Sequence, residues 1–206
     1  MPRTSIALVG FMCAGKSTVG RLLAARLNKA FVETDALIEE RAGMPVAQVF
    51  STYGEARFRE MEVEVVADVS ARTNAVIACG GGVVLNHCNV DRLRAGAIVV
   101  YLDVSPVAVL QRLGPPSDVR PLLSGPDREE RIVKLMQERR PAYLAAAELT
   151  VDASLMTPPE IAAEIEGSLR HNECANRPEG SFGQSRGTCV EELQHSRRPL
   201  CGIGAR

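Results

Sequence analysis

The segment that most constrains the fold lies close to the start of the chain. A short apolar run over residues 6–9 is followed by Gly10 and, five residues later, by the sequence GKST. This is the spacing of the G-x-x-x-x-G-K-[ST] loop, which joins a strand to a helix. Its glycines let the backbone turn sharply and approach a ligand, and its N–H groups, together with the N-terminus of the helix, form a cradle for anions. The pattern predicts a site for nucleotide phosphates.

Two side chains of this loop are expected to add a positive charge and a metal ligand. Lys16 can reach the β and γ phosphates of a nucleotide, and the hydroxyl of Ser17 can bind one Mg²⁺ ion. Apolar residues recur at helical spacing after the loop, which predicts a helix over 16–28. The loop residues expected to hold the nucleotide are Cys13, Ala14, Gly15, Lys16, Ser17 and Thr18.

Strand-like and helix-like segments alternate along the chain to about residue 170. This alternation is typical of an α/β fold in which helices cover both faces of a parallel sheet. We therefore expect one domain over residues 1–170. Strands are predicted over 6–9, 31–34, 76–79, 97–102 and 149–152, and helices over 16–28, 36–42, 55–70, 105–112, 127–145 and 158–170.

Composition separates the end of the chain from this domain and excludes two kinds of partner. Residues 171–206 are rich in Gly, Ser, Arg and Asn, which predicts a disordered tail. The net charge of −1 provides no field that would attract nucleic acid or an acidic membrane. No apolar run approaches the ~20 residues that span a bilayer. Because the first residues also lack the layout of a signal peptide, we expect a cytoplasmic location.

A second ligand is indicated at the end of the second predicted strand, which reads Glu33-Thr34-Asp35. In an open parallel sheet, ligands bind beyond the carboxyl ends of the strands, where the phosphate loop also lies. Carboxylates there can hold hydrated Mg²⁺ or accept a proton from an attacking hydroxyl. The alternative is that Asp35 only caps the next helix.

Two more segments support this second ligand. Arg59 follows Phe58, an apolar anchor of a predicted helix, so that Arg59 lies near the edge of the buried stripe. Gly80-Gly81-Gly82 follows a buried strand and can expose backbone N–H groups where a bulky side chain would block a ligand. A solvated arginine and a plain flexible turn remain the alternatives.

Taken together, the motifs resemble the shikimate kinase family over about residues 4–170. The resemblance is carried, in order, by GFMCAGKSTVGRLLAARL, the strand end ETD, GEARFREMEVEVV, CGGGVV, RPLLSGPDREER and ERRPAYLAAAELTVD. It implies a P-loop kinase fold with a five-stranded parallel sheet, a shikimate-binding subregion and a closing lid over about 113–126. It also implies transfer of the γ-phosphate of ATP, as co-substrate, to the 3-hydroxyl of shikimate, on the pathway to chorismate and aromatic amino acids.

The resemblance also implies roles for particular residues. Asp35 would hold the shikimate hydroxyls and serve as general base, and Arg59 and Arg139 would grip the carboxylate. Gly81, within the turn Gly80–Gly82, would contact the ring hydroxyls. Arg120 would move with the lid to the ATP phosphates. Together with Lys16 and Mg²⁺, Arg120 would neutralise the charge of the transferred group.

Several positions depart from the pattern of the family. Glu33 stands where a second aspartate is common, and its longer side chain could still hold a metal-bound water. Cys13 occupies a loop position that is often glycine or another small residue. On the adenine side, Leu113 replaces a frequent arginine, with Arg112 one step away, and Met156 replaces a polar or basic residue.

Two other functions stay open on sequence alone. A gluconate-kinase-like enzyme would share the loop and lid but have a different acceptor pocket. A catalytically weak ATP-binding regulatory protein would retain the loop without the reaction. The expected partners are shikimate and ATP, and we expect the protein to act as a monomer.

Overall fold

The computed structural model describes residues 3–113 and 127–175, with side chains to residue 171. Within these ranges the chain forms five strands, seven α-helices and one short 3₁₀ turn, Val83–Leu85. The strands are β1 Ser5–Val9, β2 Ala30–Glu33, β3 Ala75–Ala78, β4 Ala97–Asp103 and β5 Leu149–Asp152. The helices are α1 Lys16–Leu27, α2 Thr34–Ala42, α3 Val46–Ser70, α4 His87–Gly96, α5 Pro106–Leu113, α6 Arg128–Ala146 and α7 Pro158–Ala175.

All five strands run parallel in the order β2-β3-β1-β4-β5, which confirms the predicted five-stranded sheet. Strand β1 lies at the centre, where Ile6 pairs with Val76 of β3 and with Ile98 of β4. Because the strands are parallel, the carboxyl ends of β1, β2 and β3 meet at one edge of the sheet. This edge brings together the phosphate loop, the start of α2 and the glycine turn after β3.

Helices cover both faces of the sheet, as its buried strands require. Alternate residues of β1 enter separate apolar cores, with Ala7 and Val9 on one face and Ile6 and Leu8 on the other. The first face packs against α3, whose Val65 belongs to the same core. The second face packs against α1 and α7. Alternation over two buried faces explains why β1 is apolar throughout.

Some boundaries differ from the sequence-based prediction. Thr34 begins α2 and does not end β2. Helix α3 begins at Val46, nine residues before its predicted start, and is interrupted at Gly54, whose φ of 79° and ψ of 172° are not helical. Helix α4 was not predicted, because its ten residues carry few apolar side chains. Its first turn is held by Asn86, whose side chain accepts a hydrogen bond from the N–H of Cys88.

No helix within residues 3–113 and 127–175 combines the length and the apolar character needed to cross a bilayer.

Candidate active site

The phosphate loop has the backbone geometry that its glycines predict. Gly10 and Gly15 have φ values of 146° and 93°, which side-chain-bearing residues rarely adopt. A Cβ on Gly10 would also lie only 2.7 Å from the carbonyl oxygen of Leu102. The loop wraps around Lys16, whose Nζ donates hydrogen bonds to the carbonyl oxygens of Gly10 and Phe11, each at 2.9 Å. The ammonium group is thus held where the loop would surround a phosphate.

Lys16 and Asp35 influence each other across the mouth of this loop. Burial lowers the pKa of Lys16, and the nearby Asp35 carboxylate partly opposes that shift. Burial likewise raises the pKa of Asp35, against the positive charge of Lys16. The loop therefore faces a carboxylate contributed by the first turn of α2.

One flank of the loop forms a pocket of about 290 Å³, in which Cys13 lies beside Arg112 and Met156. Cys13 has a φ of 60°, which is uncommon for a residue with a side chain. Arg112 donates hydrogen bonds to the carbonyl oxygens of Cys13, at 3.2 Å, and of Ala153, at 2.6 Å. Arg112 thus reaches the loop, although Leu113 occupies the neighbouring position that the resemblance expects to be arginine.

The proposed metal ligands are brought together at the other flank of the loop. The hydroxyl of Ser17 donates a hydrogen bond to Oε1 of Glu33, and Arg21 pairs with Oε2 of Glu33 at 3.1 Å. Ser17 lies on the first turn of α1, and Glu33 is the last residue of β2. A hydroxyl and a carboxylate at the mouth of a phosphate loop are the oxygen ligands that Mg²⁺ prefers, so these residues fit the ion.

A second pocket, of about 390 Å³, lies against the phosphate loop and gathers the predicted acceptor residues. It extends from the first turn of α2 to helix α6. It is lined by all six of them, Asp35, Arg59, Gly80, Gly81, Gly82 and Arg139. The remaining lining consists of three further side chains and an apolar wall. The three are Glu39, Glu62 and Met12, and the wall is formed by Pro45, Val46, Ala47, Phe50 and Phe58.

Two carboxylates share the floor of this pocket beneath Gly80. A Cβ on Gly80 would lie 2.7 Å from Oδ1 of Asp35 and 3.0 Å from Oε1 of Glu62. Both oxygens are buried, and neither has a hydrogen-bond partner within the described part of the chain. Burial raises the pKa of both groups, and the charge of Asp35 adds to the shift of Glu62. A side chain at the position of Gly80 would therefore have to displace these carboxylate oxygens.

Arg59 is held in the pocket by two glutamates of its own helix. Its Nη1 donates to Glu62 at 2.8 Å, while its Nε and Nη2 donate to Glu55 at 3.2 and 3.0 Å. A Cβ on Gly82 would overlap the guanidinium group. The arginine is therefore half-buried and ordered against the glycine turn, unlike the solvated side chain that the alternative interpretation expected.

The sequence analysis missed three parts of this site. Glu62 is only 1% exposed, although an arginine and a glutamate three residues apart on a helix usually form a solvated pair. Tyr143 lies on α6 beneath the glycine turn and is discussed below. Apart from Phe58, the apolar wall comes from 45–50, ahead of the predicted helix start. The position of Arg120 and nearly all of the predicted lid lie outside the described residues.

Fold and site together define the class of the protein. A five-stranded parallel sheet with the G-x-x-x-x-G-K-[ST] loop after its central strand, facing a pocket with two arginines, is the architecture of a P-loop kinase. A model of the family described as shikimate kinase matches residues 12–170. The shikimate kinase of Moorella thermoacetica is 46% identical over 166 residues, which are 81% of this chain and 94% of that protein.

Other relatives agree with this match. The shikimate kinase of Gloeobacter violaceus is 48% identical over 160 residues, which are 78% of this chain and 89% of that protein. The solved structure of shikimate kinase from Acinetobacter baumannii in complex with shikimate superposes with a TM-score of 0.79 at 34% identity, covering 82% of this chain and 94% of that one. The chain belongs to the shikimate kinase family.

Proposed function

We propose that the protein transfers the γ-phosphate of ATP to the 3-hydroxyl of shikimate, releasing ADP and shikimate 3-phosphate. The observation that carries the proposal is the direct contact between the acceptor pocket and the phosphate loop. A Cβ on Gly81 would lie 3.6 Å from the N of Met12 and 3.7 Å from the carbonyl oxygen of Gly10. The glycine turn thus packs on the loop, so that a ligand on one side adjoins a phosphate on the other.

Acceptor recognition follows from the charges in the pocket. Shikimate carries a carboxylate and three ring hydroxyls, and guanidinium groups bind carboxylates through paired hydrogen bonds. Arg59 and Arg139 would hold the carboxylate, while Asp35 and the N–H groups of the glycine turn would hold hydroxyls. The apolar wall that includes Phe50 and Phe58 would pack against the ring face.

In the chemical step, the 3-hydroxyl oxygen forms a bond to the γ-phosphorus as the bond from that phosphorus to the β–γ bridging oxygen breaks. The proton of the hydroxyl passes to the carboxylate of Asp35, and the bridging oxygen leaves with ADP. Lys16 would stabilise the negative charge of the phosphates from its place inside the loop. We propose Ser17 as a direct ligand of Mg²⁺ and Glu33 as a ligand through water. Bound there, the ion would neutralise phosphate charge.

The test of this function is ADP release by the purified full chain with shikimate, quinate or gluconate as acceptor. We expect turnover that depends on shikimate and is at least about tenfold slower with either other acid, because each misplaces a group that the pocket would bind. Preference for gluconate would favour the gluconate-kinase-like alternative. Binding of ATP with no turnover on shikimate would favour a regulatory protein.

Gly80→Ala is expected to lower kcat/KM for shikimate by more than about tenfold. The new methyl group would meet the buried oxygens of Asp35 and Glu62, and moving a catalytic group by about 1 Å can cost as much as 100-fold. Gly167→Ala is the matched control, since a Cβ there meets nothing within 4 Å. Equal kinetics in the two variants would contradict the assigned role of the glycine turn.

Thiol modification of Cys13 is expected to inhibit the enzyme, and ATP is expected to protect it. The side chain lines the pocket beside Gly15 and Thr18, where an added group would take the space of the nucleotide. The measurement is residual activity after incubation with N-ethylmaleimide, with and without ATP. A Cys13→Ala variant should keep its activity; if it is inhibited as strongly as the parent, another cysteine is responsible.

We also propose that the protein acts as a monomer in the cytoplasm. One molecule contributes both the phosphate loop and every acceptor residue named above, so the reaction requires no second copy. Light scattering on the purified chain measures its mass in solution.

A further inference from the structure

Tyr143 is a buried aromatic residue whose hydroxyl bonds to the glycine turn of the acceptor pocket. Only 1% of the residue is exposed, and its hydroxyl donates a hydrogen bond to the carbonyl oxygen of Gly81. A buried tyrosine hydroxyl usually has such a partner, because leaving it unpaired costs free energy. Here the partner is the backbone of the glycine turn, which belongs to the substrate site and not to a helix or strand.

This hydrogen bond orients more than one backbone group. The carbonyl of Gly81 and the N–H of Gly82 belong to the same planar peptide, which is trans. Holding the carbonyl toward Tyr143 therefore directs that N–H away from Tyr143. Three successive glycines have wide conformational freedom, so the turn needs an external contact to keep one arrangement.

The same hydroxyl is also close to the arginine expected to bind the substrate carboxylate. Arg139 lies one helical turn before Tyr143 on α6, which places both side chains on one face of the helix. Burial raises the pKa of Tyr143 to about 12, although Arg139 and Arg59 nearby oppose the shift. The hydroxyl is therefore protonated at neutral pH and available to donate its hydrogen.

The ring of Tyr143 is held in place independently of its hydroxyl. It stacks on Tyr101, with ring centroids 5.0 Å apart and an angle of 12° between the planes. Tyr101 in turn donates to Asp103 at 2.7 Å, and Asp103 pairs with Arg140 at 2.9 Å. Replacing Tyr143 by phenylalanine would therefore remove the hydrogen bond to Gly81 while the ring stays stacked.

We propose that Tyr143 is a positioning residue for shikimate, which acts by holding the peptide between Gly81 and Gly82 and the Arg139 side chain in their binding arrangement. The inference rests on the proposed function and adds a residue that does not itself touch the phosphate donor. Loss of the Tyr143 hydroxyl should therefore weaken the binding of shikimate and leave the binding of ATP unchanged. The loop that would hold ATP keeps its own hydrogen bonds from Lys16.

The test is calorimetric titration of the full chain and its Tyr143→Phe variant with shikimate and, separately, with ATP. We expect the variant to bind shikimate about 5- to 10-fold more weakly, the effect of one lost buried hydrogen bond, with ATP affinity unchanged within about twofold. The comparison variant is Tyr101→Phe, which loses the hydroxyl of the other ring in the stack. That hydroxyl donates to Asp103 and not to the glycine turn.

Unchanged shikimate affinity in Tyr143→Phe, or equal weakening of both ligands, would overturn the inference and leave a structural role only. Equal loss of shikimate affinity in Tyr101→Phe would do so as well. Failure of the parent protein to bind shikimate would instead overturn the proposed function, so the two failures are distinguishable.

Discussion

Asp35→Asn is expected to lower kcat by about 10²–10⁴-fold, the usual contribution of a general base, with ATP binding retained. The asparagine keeps the size of the side chain but cannot accept the proton of the acceptor hydroxyl. The measurement is steady-state ADP release at saturating shikimate. A variant that retains more than about a tenth of the parent kcat would show that Asp35 does not act as the base.

The same substitution is expected to stabilise the protein at neutral pH. Burial raises the pKa of Asp35 above its ordinary value of 3.8, so the folded state disfavours the charged form. A carboxyl group with a raised folded pKa stabilises the fold below its unfolded pKa, and that contribution is lost as the pH rises through the folded pKa. Asparagine carries no charge at any of these pH values, so its burial does not lower the free energy of unfolding as the pH rises. Its amide N–H group can also donate to the buried carboxylate of Glu62. Thermal unfolding at pH 7 should therefore show a higher midpoint for Asp35→Asn, with the difference shrinking on acidification.

Arg59→Ala is expected to weaken shikimate binding by at least about 30-fold, with ATP affinity changed by less than about twofold. The guanidinium group is half-buried and already ordered by Glu55 and Glu62, so little order is lost when it binds a carboxylate. Titration of each ligand separately provides the measurement.

Two further variants control for indirect effects of removing Arg59. Arg57→Ala removes an arginine two positions earlier that is half-exposed and pairs with Glu60, so it should leave shikimate affinity unchanged. Arg59→Ala combined with Glu62→Gln avoids leaving the buried Glu62 as an unpaired charge. If Arg57→Ala weakens shikimate as much, or if Arg59→Ala weakens ATP equally, Arg59 is not a dedicated acceptor residue.

Much of this site follows from patterns that are local in sequence. The phosphate loop is recognisable because each glycine and the lysine have a fixed spacing. The placement of Asp35 and the Gly80–Gly82 turn beside it follows from the parallel sheet, since strand ends meet at one edge. The close packing of Gly80 and Gly82 on buried polar groups supplies the physical reason for glycine at these positions.

The parts that were not predicted depend on contacts distant in sequence. Glu62 is buried because Gly80, on another element, leaves room for its carboxylate. Tyr143 is polar at one atom only, and its role depends on meeting Gly81, 62 positions earlier. The early start of α3 places Val46, Ala47 and Phe50 in the wall of the pocket. The non-helical Gly54 divides the helical pattern, and for this reason the sequence does not predict that early start. No local periodicity carries such information.

The most direct test of the account is to identify which oxygen receives the phosphate. Reaction mixtures of the full chain with ATP and shikimate can be analysed by phosphorus–proton correlation NMR. The account predicts phosphate on the 3-oxygen of shikimate, with one ADP formed for each product molecule. Phosphate on another hydroxyl, or release of inorganic phosphate alone, would contradict it.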